Sequence, residues 1–138
     1  MNQISATVTG IQKSDNLTIV SFTAYDQPLR MVALELDRSL VVGSQVTLGV
    51  KATKIALAKK VEGELSISNQ ISVTVEHITN GSLLSSVILQ FGEAKLESII
   101  TRESSIRMKL HARERVTALI QASDLSIFRI HGKAGKHE

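Results

Sequence analysis

Asn2-Gln3-Ile4-Ser5-Ala6-Thr7-Val8 returns further along the chain as Asn69-Gln70-Ile71-Ser72-Val73-Thr74-Val75. The offset of 67 residues (69 − 2) continues beyond that block, with Ile11 falling on Ile78, Leu17 on Leu84 and Val20 on Val87. It then widens to 70 (116 − 46), so that Val46-Thr47 meets Val116-Thr117. In the same frame Val50, Ala52, Thr53, Ile55 and Leu57 meet Ile120, Ala122, Ser123, Leu125 and Ile127. Two blocks that agree in order, with three residues gained in a middle loop, mark a tandem duplication.

Each copy reads as about five short strands. Ile4, Ala6 and Val8 alternate with polar neighbours, as do Leu17 and Ile19, which is the period of a half-buried strand. Ser14-Asp15-Asn16 is turn chemistry, and Asn80-Gly81 at the same place in copy two is a hairpin signal because both residues accept positive φ. A second turn is expected at Asp26-Gln27-Pro28, matched by Gly92-Glu93. A third strand (29–36; 94–100) leads into a short helical turn or loop, and two closing strands are expected at 45–50 and 53–58 in copy one. The expected fold class is all-β, with two tandem small OB-like five-stranded Greek-key barrels. The expected boundaries are a first repeat over 1–60, a linker and site segment over 61–68, a second repeat over 69–129 and a flexible tail over 130–138.

The composition suits this reading. Of 138 residues 43% are hydrophobic, enough to bury a core, and with no Trp, one Tyr and three Phe that core is built of Val, Ile and Leu. Cysteine is absent, which removes disulfides and thiolate metal sites and points to a reducing compartment. There is no basic-then-apolar leader and no apolar run of the ~20 residues that span a bilayer. A soluble cytoplasmic protein without membrane partners is the expectation. A repeat of about 60 residues buries only about 60% of its unfolded surface and is marginal alone, so duplication and oligomerisation are its natural supports.

No motif argues for an enzyme. His77, His111, His131 and His137 are scattered without metal-ligand spacing, and there is no phosphate loop, nucleophile elbow or framed acid pair. No catalytic residue and no metal site is expected. What the chain offers is hydroxyls and cations at strand ends: Val50-Lys51-Ala52-Thr53, Ser66-Ile67-Ser68-Asn69-Gln70 and Thr101-Arg102-Glu103-Ser104. Such a set of donors suits a fully deprotonated oxyanion, which can only accept hydrogen bonds. Ordinary turn Ser and Thr beside a solvated Lys is the bland alternative. A nucleic-acid-binding barrel is a poor fit, because bases stack on aromatic side chains that this chain scarcely has.

The segments Ser66-Ile67-Ser68-Asn69-Gln70-Ile71, Ile99-Ile100-Thr101-Arg102-Glu103-Ser104 and Val50-Lys51-Ala52-Thr53-Lys54-Ile55 resemble three segments of Mop domains, namely Ser-Ala-Arg-Asn-Gln, Ile-Thr-x-Glu-Ser and Lys-Ala-Thr/Ser. Mop (TOBE-like) domains make up the molbindins, small cytoplasmic molybdate- and tungstate-binding proteins, and occur in molybdate-responsive regulators and transporter ATPases. The resemblance spans nearly the whole chain, one Mop unit per copy. It implies molybdate or tungstate as the bound oxyanion, held between units of a homotrimer, for storage or homeostasis; an oxyanion-sensing module acting on a protein partner is the alternative role.

Carried over by position, the resemblance implicates Lys51, Ala52 and Thr53, then Ser66, Ile67, Ser68 and Asn69, and finally Thr101 and Ser104. The chain departs from the pattern at Ser68, where the family has Arg, and at Gln121, where copy two would have Lys. Copy one lacks a Thr-x-x-Ser after its third strand. The implied site is therefore composite, with Lys51 from one copy meeting Ser66 and Thr101 of another.

Overall fold

A computed structural model describes residues 1–133, and in it the two copies are realised strand for strand. Copy one supplies β1 (Asn2–Ser14), β2 (Leu17–Ala24), β3 (Gln27–Ala33), β4 (Ser44–Val50), a 3-10 turn η1 (Ala52–Lys54) and β5 (Ala56–Ala58). Copy two supplies β6 (Asn69–Asn80), β7 (Leu84–Phe91), β8 (Ala94–Thr101), α1 (Arg102–Arg107), β9 (Arg115–Ile120), η2 (Ala122–Asp124) and β10 (Ser126–Lys133). The registers repeat as well: Asn2 pairs with Val50 and Asn69 with Ile120. The first strand of each copy is bulged at one place, between Val8 and Gly10 and between Val75 and His77. A bulge bends a long strand and raises its twist, which lets it pass from one side of a small barrel to the other.

The inward positions are those the alternation predicted. Ile4, Ala6, Val8, Val20 and Phe22 are buried in copy one, and Ile71, Val73, Val75, Val87 and Leu89 take their places in copy two. All join one continuous apolar core.

The sheets do not follow the repeats. One runs β10-β4-β1-β2-β3 and the other β5-β9-β6-β7-β8, so each copy closes its partner's sheet with its own last strand. Leu57 pairs with Ala118, and Ile127 with Leu48. The sequence division at 1–60 and 69–129 therefore separates the copies, not the barrels. Two local expectations also change. The tight turn is Tyr25-Asp26, both at positive φ, and Pro28 lies within β3; β3 is an edge strand, where a missing N–H is tolerated. The Asn80-Gly81 signal leads to a three-residue loop, 81–83, with neither residue at positive φ. Ile130–Lys133, expected in a tail, extend β10, and His131 in it hydrogen-bonds Thr47 Oγ1 at 2.7 Å. His137 lies outside the described residues.

Two asparagines at equivalent positions hold the barrels together. Asn2 Nδ2 donates to the Glu97 carbonyl at 2.8 Å and its Oδ1 accepts from the Glu97 N–H at 2.8 Å. Asn69 Nδ2 donates to the Arg30 carbonyl at 2.9 Å, and its Oδ1 accepts from the Arg30 N–H at 2.6 Å. Each side-chain amide mimics a peptide group, so it supplies one rung of ladder to the free edge of the other sheet. The hairpin tips meet at equivalent positions too. Tyr25 packs edge-on against Phe91, ring centroids 5.2 Å apart, and its ring covers the Cα of Gly92. Gly92 has φ +57, and a Cβ there would land within the Tyr25 ring. Gly92→Val combines a positive-φ penalty with overpacking and is expected to cost about 2–4 kcal/mol, read as a lowered urea midpoint. A change below about 0.5 kcal/mol would show that the tips are loosely joined.

The segment leaving β5 is tied down by charge. Lys59 Nζ lies 2.7 Å from Glu114 Oε2 and donates to the Lys109 carbonyl at 3.2 Å, while the His111 N–H donates to Glu114 Oε1 at 3.2 Å. Burial by itself would raise the Glu114 carboxyl, but the Lys59 hydrogen bond, the His111 N–H and the charges of Lys59 and His111 together hold it below its ordinary 4.5. A depressed carboxylate stabilises the fold above its unfolded value and loses that contribution as pH falls through the folded one. Thermal melts from pH 7 down to pH 3 are therefore expected to fall more steeply for the natural chain than for Glu114→Gln; parallel curves would assign the acid sensitivity elsewhere.

Candidate oxyanion site

Lys51 immediately precedes η1, with an extended backbone (φ −72, ψ 143), and its side chain is exposed. The short turn forms because the Lys54 N–H reaches the Lys51 carbonyl at 2.9 Å, after which Ile55 plunges into the core and locks the turn's orientation. Ser98 Oγ, buried on β8, donates to the Ile55 carbonyl at 2.6 Å and fixes η1 against the other barrel. Ala52 is half-buried and Thr53 exposed. Lys51 and Lys54 open on a cleft of about 190 Å³ whose other walls are Met1, Gly49, Val50, Ser123, Asp124 and Ser126. At ~30 Å³ per water this holds about six waters, room for one tetrahedral anion with some of its hydration.

The ion pairs among the described residues are Lys59–Glu114, Lys95–Glu76, Arg107–Glu103 and His111–Glu114. Lys51 and Lys54 are therefore two cations on one small cleft with no ion-pair partner among the described residues. No group of three His, Asp or Glu among the described residues could hold a metal ion.

The other predicted residues lie apart from Lys51. Thr101 caps α1: its Oγ1 accepts from the Ser104 N–H at 3.1 Å and donates to Ser104 Oγ at 2.9 Å. Ser104 lines a second cleft, of about 640 Å³, with Lys59, Arg107 and the β5 residues Ala56–Ala58. Ser66, Ile67 and Ser68 form the irregular approach to β6, with both serines exposed and the Ile67 carbonyl taken by Gln70 Nε2 at 2.9 Å. Lys51 and Ser104 thus face different clefts, and Ser66 and Thr101 line neither. Asn69 is fully buried and both ends of its amide are spent on Arg30, so in this structure it serves the joint between barrels. Lys54, Ser123, Asp124 and Arg107 are polar members of these clefts that the sequence reading did not single out. Lys54 was visible three residues after Lys51, and Ser123 and Asp124 occupy the aligned turn of copy two.

Two five-stranded curled barrels with exchanged closing strands, and small polar clefts at their turns, define a tandem OB-like protein rather than a single barrel. Residues 65–127 match the TOBE domain family, and the fold of the two copies together is the tandem, di-Mop one. Over 91% of its length it superposes on 94% of the cytoplasmic molybdate-binding protein ModG, in a crystal structure with molybdate bound, at a TM-score of 0.84 and 26% identity. It is also 29% identical over 109 residues to the molybdenum import ATP-binding protein ModC of Brucella abortus (strain 2308), and equally to that of Brucella suis biovar 1 (strain 1330). Each of those matches takes in 72% of this chain and 30% of the relative, so the chain spans under a third of the length of these relatives. The TOBE match takes in the Ser66–Ile71 and Ile99–Ser104 segments and does not extend to Val50–Ile55.

Proposed function

We propose that this chain binds molybdate or tungstate, and that it does so as a cytoplasmic store or buffer rather than as a catalyst. The observation that carries the reading is the cleft where Lys51 and Lys54, neither in an ion pair among the described residues, face the hydroxyl-bearing turn of the other copy. A tetrahedral dianion there would gain two charge-assisted contacts and hydroxyl donors that rotate to meet it. The overlay on ModG, which is a molybdate-binding protein, supports the same ligand.

The functional unit in this reading is a homotrimer, in which Ser66 and Thr101 of one chain complete the site around Lys51 of its neighbour. Exposed apolar side chains support association: Leu83 (80%) and Leu84 (56%) stand at the start of β7 and Ile106 (53%) on α1, two segments joined where the Arg102 N–H bonds the Leu83 carbonyl. The first barrel carries a groove of about 930 Å³ in which Leu36, Leu40, Ile127 and Ile130 stand among Glu35, Asp37 and Arg129. Apolar surface of this kind marks association sites.

Calorimetric titration with molybdate, tungstate, sulfate and phosphate, with bound ions counted per chain by native mass spectrometry, tests both parts. Saturable binding of molybdate and tungstate to a trimer is expected. Failure of all four anions to bind would leave only the fold standing, and a monomer at micromolar concentration would remove the composite site.

A further inference from the structure

The two 3-10 turns occupy equivalent places but carry opposite chemistry. Lys51-Ala52-Thr53-Lys54 in copy one aligns with Gln121-Ala122-Ser123-Asp124 in copy two. The second turn carries neither cation of the first, and an acid stands where Lys54 stands. That acid is not directed away into solvent. Asp124 is half-buried and lines the same cleft of about 190 Å³ as Lys51 and Lys54, beside the hydroxyls of Ser123 and Ser126. It belongs to none of the ion pairs among the described residues, so neither lysine cancels its charge by direct contact.

We propose that Asp124 sets the selectivity of this cleft among tetrahedral oxyanions. The proposal rests on the functional reading above and adds to it which anions are favoured. A carboxylate can only accept hydrogen bonds. Molybdate, tungstate and sulfate are fully deprotonated at neutral pH and also can only accept, so one of their oxygens meeting Asp124 gains no hydrogen bond and suffers like-charge repulsion. Hydrogen phosphate carries a proton, and its O–H donates to the carboxylate in a charge-assisted bond that offsets the repulsion. Asp124 therefore narrows the margin by which a donor-only cleft would prefer molybdate over phosphate. The aligned residue, Lys54, acts in the opposite sense from across the same space.

The test is Asp124→Asn, with Asp124→Ser as a second variant, titrated calorimetrically with molybdate and with inorganic phosphate beside the natural chain. Removing a unit negative charge near a dianion is expected to tighten molybdate by about tenfold. Phosphate, whose charge-assisted acceptor is weakened to a neutral one as the repulsion is removed, is expected to gain less, so the molybdate-to-phosphate affinity ratio rises about fivefold or more. Equal gains for both anions would reduce Asp124 to a general electrostatic effect and overturn the selectivity role. No change for either would place it outside the site. If neither anion binds the natural chain or the variants, the functional reading itself fails and this inference with it, an outcome distinct from binding that ignores Asp124. Unchanged melting curves show that the variants report on the cleft and not on folding.

Discussion

Asn69→Ala is expected to lower the unfolding free energy by about 2–4 kcal/mol, more than removal of any exposed polar residue in the chain. The substitution deletes two hydrogen bonds, each worth about 1 kcal/mol net, and strands the Arg30 N–H and carbonyl, whose desolvation costs about 1–3 kcal/mol when unpaired. Asn69 is entirely buried, so water cannot readily replace the lost amide. Asn69→Asp keeps the acceptor for the Arg30 N–H but sets a carboxylate against the Arg30 carbonyl, and it is expected to be no milder at neutral pH. The equivalent Asn2→Ala should act in the same direction with a smaller size, because Asn2 is only partly buried. Urea denaturation followed by circular dichroism measures all three. A loss under 1 kcal/mol for Asn69→Ala would mean that the paired amides are incidental to the joint between barrels.

For binding, the largest expected effect is that of Lys51→Ala, which should weaken molybdate by about 10- to 100-fold. A hydrogen bond to a charged group contributes about 1.5–3 kcal/mol, and every 1.4 kcal/mol is a factor of ten. Lys51 is exposed and makes no ion pair among the described residues, so its removal should leave the melting temperature unchanged and isolate the effect on ligand. Lys51→Arg is expected to recover part of the affinity, since the charge survives while the fork of donors differs from a compact ammonium. Affinity within a factor of two of the natural chain would take Lys51 out of the site. A parallel Thr101→Val titration bears on the composite arrangement: weakened binding would tie the α1 cap to the ligand, and unchanged binding would confine Thr101 to capping.

The fold was legible in the sequence because period-two burial and turn residues are local signals. Ile4, Ala6 and Val8, and their counterparts Ile71, Val73 and Val75, lie inside as their alternation required. What could not be read was which sheet each closing strand would join. Leu57 and Ile127 have the same apolar pattern whether they pair within their own copy or across, and the choice lies in long-range geometry that no local signal encodes. The same holds for Asn69. Its place in a Ser-x-x-Asn segment suggested a ligand contact, whereas the residue that claims its amide, Arg30, is 39 positions away. The individual turns at Lys51 and Thr101 were legible, but their separation onto different faces of one chain was not, since strand-end residues reveal their neighbours only once the barrels are assembled.

The exchange of closing strands also imposes an order of events. Synthesis proceeds from the N-terminus, so β4 is made long before the strand that completes its sheet. Ser126, whose hydroxyl meets the Gly49 carbonyl, lies 77 residues further on. The barrel begun first is therefore the one finished last, after nearly the whole of the second copy has left the ribosome. Until then the outer edge of β4 is an unpaired row of amides and carbonyls, open to β-pairing with a neighbouring nascent chain. Such distant pairing is also slow to form, because the intervening chain must be organised first. The rate at which this protein matures, and its tendency to misassemble while doing so, should thus be governed by the arrival of Ser126–Lys133.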